Sequence, residues 1–410
     1  MSLLKNSPNG WELKTFNNAL SVLKDGTHFS PKVFGGKNLY ITSKNIRMGK
    51  LDLEDVSYIS DDEHQRIYSS SPVKYGDVLL TKDGAKTGNV CINSLKKEFS
   101  LLSSVAYLRG KTDVLLNEFL MQWLSSPRVQ FDIKNDMAGQ AITRLTLQKI
   151  GKFKILLPPL PEQKAIADLL STWDDAIEKT ERLIQAKEQR FKWLLRELIS
   201  ESRMDTNNHK WKKVKLGQVA NIEKKQKLKS VDGEILLTVK LHCLGIELND
   251  RIKPKLTTRG RPYFKHHFGD FLIGRQNFHN GGFGIVPSEL DGGITSNAIS
   301  CLSVNESKLS KAFLWYQFAN SNYYKKVGHV MDGTGQKELS DKQILKLKIL
   351  LPEINEQKAI AETLSTAQLE IDLLKQLAEK YKIQKRGLMQ KMLTGEWRVK
   401  PEIVKQYGNE

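Results

Sequence analysis

Apolar residues recur at steps of three and four through two long stretches of this chain. From Glu162 they fall at Ile166, Leu170, Trp173, Ile177, Ile184, Phe191, Leu194 and Leu198, with Thr180 and Lys187 as polar interruptions. A second run places Ile360, Leu364, Ala367, Ile371, Leu374, Ala378, Tyr381, Leu388 and Met392 at the same offset, and no proline breaks either run. This period predicts two α-helices of about 38 residues, each ~57 Å long at roughly 1.5 Å per residue. A narrow apolar stripe on so long a helix has to be covered. Either each helix packs on its own domain, or the two cover one another along a coiled-coil seam.

Before the first of these helices the pattern shortens to strands and turns. Leu39-Tyr-Ile-Thr, Val78-Leu-Leu-Thr, Asn89-Val-Cys-Ile and Ser104-Val-Ala-Tyr-Leu read as strands, separated by turns such as Asp25-Gly26 and Asp83-Gly84. A helix over residues 116–124 is expected to end before Pro127.

The chain writes one segment twice. Residues 154–172, Lys-Ile-Leu-Leu-Pro-Pro-Leu-Pro-Glu-Gln-Lys-Ala-Ile-Ala-Asp-Leu-Leu-Ser-Thr, return 194 positions later at 348–366 with fourteen identities in nineteen. The echo extends outward. Trp11-Glu-Leu-Lys is answered by Trp211-Lys-Lys-Val-Lys, and Gly76-Asp-Val-Leu-Leu-Thr by Gly269-Asp-Phe-Leu-Ile-Gly. Phe119, Leu120, Met137, Gly139 and Ile150 reappear ungapped as Phe313, Leu314, Met331, Gly333 and Ile344. Only the centres of the two copies have drifted apart, which suggests one architecture presenting two different reading surfaces.

The expected fold is therefore α+β. Two β-rich domains, residues 1–146 and 206–339, alternate with two strand-plus-long-helix segments, residues 147–205 and 340–410, in an internal pseudo-two-fold repeat. About one domain's length joins the end of the first helix to the start of the second, and domain termini usually lie close together. The helices should then run antiparallel, with a globular domain at each end.

Charge narrows the class of partner. Sixty-four Lys and Arg against forty-six Asp and Glu leave a formal net charge of +18, which attracts polyanions, nucleic acid foremost. Between Asn207 and Asp270 there are fifteen Lys and Arg against six Asp and Glu. Lys224, Lys225, Lys227, Lys229, Arg251, Lys253, Lys255, Arg259 and Arg261 form a phosphate-tracking patch if they share one face, and a solvated surface if they do not. Two loops add candidates. In Gly76-Asp-Val-Leu-Leu-Thr-Lys-Asp-Gly-Ala-Lys-Thr-Gly88, Lys82 and Lys86 could face a DNA backbone, although a plain solvated hairpin reads equally well, and the glycine spacing matches no nucleotide-binding loop. Arg275, Gln276 and Asn277 carry the donor and acceptor pairs that match guanine and adenine edges, in a segment that also reads as a structural turn.

Three cysteines without a Cys-x-x-Cys pair indicate neither a disulfide framework nor a cysteine zinc site, and fit a reduced cytoplasm. No apolar run approaches the roughly 18 residues of a membrane span. Catalytic constellations are hard to find. The Pro-Pro at Pro158 and Pro159 lacks the flanking residues of an adenine methyltransferase tetrad. Glu223-Lys-Lys225 has the acid-x-Lys triplet of a nuclease without an evident partner acid, and His242, His266, His267 and His279 lack recognisable zinc spacing, so no metal site is expected.

The doubled Leu-Pro-x-x-x-Glu-Gln-Lys-Ala-Ile-Ala segments (157–167 and 351–361), the Trp11 and Trp211 openings and the Gly-Asp strands at Gly76 and Gly269 together resemble the specificity subunit of type I restriction-modification systems, over nearly the whole chain. That resemblance implies a subunit that catalyses nothing. Each domain would be a target recognition domain binding one half of a split, asymmetric double-stranded DNA target. The antiparallel helices would set the spacer and dock two methyltransferase subunits that bring S-adenosylmethionine, and restriction subunits using ATP and Mg²⁺ would join them. A stand-alone coiled-coil DNA-binding regulatory or architectural protein is the other reading of the same residues.

Overall fold

The computed structural model describes residues 8–32, 34–137, 144–201, 211–257, 260–328 and 338–408. The chain divides into two compact units, Met1–Arg182 with Lys375–Glu410, and Leu183–Leu374. Each unit therefore holds one globular domain and a portion of both long helices, a division that cuts across the four consecutive segments read from the sequence.

The first unit is built on a four-stranded antiparallel sheet in the order Leu20–Asp25, Val105–Gly110, Val78–Thr81, Val90–Ile92. Its two central strands are apolar almost throughout because both faces are covered. Side chains alternate between the covers, as a period of two requires. Val78, Leu80, Ala106 and Leu108 face a core shared with the helix Asn117–Ser125, through Phe119, Leu120 and Leu124. Leu79, Val105 and Tyr107 face a second layer that includes Leu39 and Ile41.

The second unit repeats this plan with Ala220–Ile222, Ile299–Val304, Phe271–Gly274 and Phe283–Ile285 in the same order. Phe271, Ile273 and Leu302 face the helix Lys311–Ala319, while Leu272 and Cys301 face the other way. The second layers are where the copies differ. In the first unit it is the sheet Ser57–Ile59, Phe34–Ile41, Ser100–Leu101 with a short hairpin beside it; in the second it is the hairpin Leu237–Val239 with Ile246–Leu248 and the antiparallel pair Tyr263–Lys265 with Ile294–Ser296. The drifted centres of the repeat are these layers.

The repeated segment closes each unit. Lys154–Leu157 pairs antiparallel with Glu12–Thr15, and Lys348–Leu351 with Lys212–Lys215. After the proline break the long helices begin, Leu160–Leu198 and Ile354–Met392, 39 residues each. Their Glu-Gln pairs explain the identity of the copies. The Trp11 indole N–H donates to Glu162 (3.2 Å), and that of Trp211 to Glu356 (3.0 Å). Gln163 Oε1 accepts from the Leu116 amide (3.0 Å), and Nε2 donates to the carbonyls of Val114 and Pro158 (both 2.9 Å). Gln357 repeats each bond, accepting from Ser310 (2.8 Å) and donating to Lys308 (2.9 Å) and Pro352 (2.8 Å). One glutamine thus satisfies three backbone groups that would otherwise be buried unpaired.

The long helices pack on one another as an antiparallel coiled coil, and both covers anticipated for the stripe are in use. In the first unit Ile166, Ala167 and Leu170 lie in the domain core together with Met389 and Met392 of the second helix and Leu393 just after it, with Leu388 packed against them. Trp173 meets Tyr381 edge-on at 5.6 Å, and Lys382 bonds Glu181 at 2.6 Å. In the second unit Ile360, Ala361 and Leu364 share the core with Leu195 and Ile199, and Phe191 packs on Tyr316, whose hydroxyl donates to Ser365 (3.0 Å). Here the stripe is shifted by one residue from the expected one. Leu195 and Ile199 are buried while Leu194 and Leu198 are half-buried, because this end faces a domain as well as a helix. Ile177, Ile184 and Leu374 are half-buried and Ile371 is buried. No helix among the described residues is long and apolar enough to cross a membrane.

Replacing the fully buried Gln357 by alanine strands the Ser310 amide and two carbonyls. The expected cost is about 2–4 kcal/mol, read as a lower urea midpoint. The exposed Gln189, on the first helix, should cost less than about 0.5 kcal/mol on the same change.

Candidate nucleic-acid interface

Two of the loops singled out by sequence occupy the same place in the two units. Residues 82–89 join Val78–Thr81 to the edge strand Val90–Ile92, and residues 275–282 join Phe271–Gly274 to Phe283–Ile285. The leading cation of each is engaged by acids of its own unit. Lys82 is only 1% exposed, its ammonium held by Asp25 (3.2 Å) and Asp83 (3.4 Å). Arg275 stands at the matching position, paired with Glu338 (2.9 Å). The backbone confirms the match: the Lys82 carbonyl accepts from the Leu145 amide (2.8 Å) and the Arg275 carbonyl from that of Leu339 (3.0 Å), and Leu145 and Leu339 are 194 positions apart. Both cations face half-buried carboxylates, which neutralise much of their charge within the fold.

The rest of the two loops is turn structure. The Asn277 amide donates to Gly274 and its carbonyl accepts from Asn280 and Gly282, which leaves the Asn277 side chain exposed and Gln276 half-buried. Lys86 is half-buried and reaches the Lys44 carbonyl at 3.5 Å.

The basic cluster of the second unit separates into three groups. Lys225 is the first, and it is structural. Its ammonium bonds Asp270 at 2.7 Å and lies 3.4 Å from Glu223. Asp270 also accepts the His267 amide (2.9 Å), as Asp77 accepts the Lys74 amide (2.8 Å) while gripping Arg109 (2.7 Å). The Gly-Asp repeat is therefore a clamp at the start of the central strand. Burial raises the proton affinity of the Asp270 carboxyl, but bonds from His266, Lys225 and the His267 amide outweigh it and hold the group well below the usual carboxylate range.

The acid that the Glu223-x-Lys225 triplet lacked in the sequence is thus present in space. Its oxygen is already taken by the ammonium and a backbone amide, and His266 Nδ1 stands at 3.5 Å. Among the described residues His266, Asp270 and Cys301 form the one group with metal-ligand spacing, and the Lys225 ammonium stands beside it. Cys301 is held as a thiol by burial, donating to Glu223 (3.3 Å).

The second group is a shared edge. Lys224, Lys227, Lys229 and Arg261 are exposed. The Leu228 amide donates to the Tyr263 carbonyl (3.0 Å), Asn297 to Pro262 (3.1 Å) and Arg275 to Ala298 (3.2 Å), which draws the lysines, Arg261 and the 275–282 loop toward one another. A parallel bridge between Leu236 and Ile294 sets the tip of the 237–248 hairpin at this same end. The third group, Arg251, Lys253 and Lys255, is exposed but follows the opposite end of that hairpin, where Asn249 donates to Leu236 (2.8 Å). Arg259 lies outside the described residues.

Comparison with known proteins decides the family. The profile of the type I restriction modification DNA specificity domain matches twice, over residues 12–188 and 208–382. The chain belongs to this family. It is 25% identical over 347 residues to the type I restriction enzyme MjaVIII specificity subunit of Methanocaldococcus jannaschii, covering 80% of each chain. It is also 25% identical to the putative type I restriction enzyme MjaX specificity subunit of the same organism, covering 96% of this chain and 95% of that one. Among solved structures it shares the fold of the type I restriction-modification system S subunit from M. genitalium, with a TM-score of 0.61 at 17% identity, over 95% of this chain and 98% of that one.

Changing Lys224, Lys227 and Lys229 together to alanine should weaken duplex binding for every sequence. The log–log salt slope should flatten by up to about 3 and melting should not move. Asp270→Asn should act on stability instead. A carboxyl with depressed proton affinity stabilises the fold above the ordinary aspartate range and loses that contribution as pH falls through about 4 and below. The variant should therefore lose about 1–2 kcal/mol at pH 7 and show a flatter acid limb in pH-dependent unfolding.

Proposed function

We propose that this chain is the non-catalytic DNA-reading subunit of a type I restriction-modification complex. Each unit reads one half of a bipartite, asymmetric duplex target. The long helices set the unspecified spacer and dock two methyltransferase subunits, and restriction subunits join that core. S-adenosylmethionine, ATP and Mg²⁺ are supplied on those partners, and the cytoplasm, where the DNA lies, is the compartment.

The observation that carries this reading is one scaffold used twice with two different second layers. The Glu-Gln helix start and the strand order of the central sheet recur, while the layers beside the loops 82–89 and 275–282 differ in their strands and hairpins. Identical frames with unlike faces suit a reader of two unlike half-sites. The exposed cations around Lys227 supply sequence-independent attraction to phosphate. Exposed apolar residues on the helices, Leu169, Leu377 and Ile383 in the first unit and Leu183, Trp193, Leu369 and Leu373 in the second, offer surface for protein partners.

Methylation mapping tests the reading. DNA from cells expressing this chain together with the neighbouring methyltransferase gene should carry modified adenine in both halves of a split motif, and in neither half when the chain is omitted. Modification that is indifferent to this chain would overturn the assignment in favour of a DNA-binding regulator.

A further inference from the structure

Each unit lays a short hairpin against the beginning of its edge strand. In the first, Ile46–Arg47 pairs with Lys50–Leu51 around the tip Met48-Gly49. The Gly49 amide donates to the Val90 carbonyl (2.8 Å), and the Asn89 side chain donates to the Ile46 carbonyl (3.0 Å). In the second, Leu237–Val239 pairs with Ile246–Leu248 around residues 241–244. The amides of His242 and Cys243 donate to the carbonyls of Asn280 (2.7 Å) and Gly281 (2.9 Å), just before the strand Phe283–Ile285. The hairpins have no sequence in common, and they descend from the drifted centres of the repeat. Both are nevertheless pinned to the loop between the same two sheet strands.

Three features set these tips apart from ordinary surface loops. Each ends in an apolar side chain standing in solvent, Met48 at 46% and Leu244 at 63% exposure. A single exposed apolar residue means nothing, but the same device at the same place on two unrelated hairpins calls for a reason. The second tip is also built against local preference. His242 and Cys243 are the two non-glycine residues with positive φ among those described, both at 60°, in a turn that glycine and asparagine normally occupy. Strain of this kind persists where the surroundings over-determine it, as the bonds to Asn280 and Gly281 do here. Finally, cations stand nearby: Lys50 is exposed beside Met48, and Lys227, Lys229 and Arg261 lie at the end of the second layer that holds the 241–244 tip.

We infer that the two tips are matching base-contacting elements, pressing Met48 of the first unit and Leu244 of the second against base edges of duplex DNA, where an apolar group discriminates by fitting or failing to fit a thymine methyl or a base step. Double-stranded DNA suits the site better than a protein does. The apolar area at each tip is one side chain wide, too little for a protein interface, while apolar wedges flanked by cations are a recurrent way of meeting bases. The backbone bonds hold each tip rigid, so contact loses little entropy.

The inference rests on the specificity-subunit reading, and its test separates the two. The full chain, co-expressed with the neighbouring methyltransferase gene, is compared with Met48→Ala and Leu244→Ala by sequencing the modified sites. Each variant should keep a split motif and lose about tenfold in discrimination at one base pair of one half only, a different half for each variant, with melting and co-purification unchanged. Leu244→Met and Met48→Leu should shift the preferred base and not relax it, which a merely structural side chain would not do. An unaltered motif from both alanine variants overturns the tip assignment and leaves the specificity reading standing. Equal loss at all sites with loss of the methyltransferase also overturns it, since the tips would then be protein contacts. Absence of any split motif with the unsubstituted chain removes the specificity reading itself, and the tips with it.

Discussion

The two-residue step from Glu162 to Gln163, repeated at Glu356 and Gln357, is what the rest of the fold hangs from. The glutamate takes the indole of the residue that opens the domain, and the glutamine takes three backbone groups from the loop and strand that close it. Both side chains sit in the first turn of a 39-residue helix, so helix direction, domain closure and chain entry are settled within one turn. In the first unit Arg398 adds a further lock, gripping both oxygens of Glu162 at 2.6 and 2.7 Å and lying over the Trp11 ring. A long helix so anchored can carry a domain without that domain filling its whole length. This leaves its middle for the other helix.

A second constraint separates frame from face. Central strands covered on both sides admit mostly apolar side chains, and cations at their ends neutralise acids that are buried or half-buried: Arg109 with Asp77, Lys82 with Asp25 and Asp83, Lys225 with Asp270. Unpairing such a group costs more than an exposed substitution, so these positions are held. The second layer bears no such demand on its outer side. Different strand arrangements could therefore arise there without disturbing the sheet.

What the sequence disclosed follows the same divide. The helices, their antiparallel pairing, the four strands from Leu39 to Leu108 and the short helix near Phe119 were legible because each is set by local periodicity or by the repeat. The role of charge was not. Lys82 reads as a loop lysine, and nothing in its neighbours announces that Asp25, 57 positions earlier, will neutralise it. Lys225 looks like its neighbours Lys224 and Lys227 until Asp270 is brought to it. Composition counts charges and cannot say which are spent inside. The shift from Leu194 and Leu198 to Leu195 and Ile199 has a similar origin, since an apolar stripe reports that a face is buried and not that two bodies share it.

The hairpin tips were the least legible part, for a reason that also makes them informative. Turn chemistry is read from glycine and asparagine, and Met48-Gly49 carries half of that signal while His242-Cys243 carries none. A turn that forms against its own residue preferences is fixed by tertiary bonds, here from Asn280 and Gly281, and not by local energy. Such a turn depends on the 275–282 loop to exist at all, so loop and tip must vary together if the surface is to change what it meets. Arg275 to Asn277 thus shape the surface at the hairpin tip even where their side chains are turned to structural ends. Arg275 ties the loop to the sheet and to Glu338, the turn at Asn277 delivers the carbonyls of Asn280 and Gly281, and those carbonyls hold the tip that projects Leu244.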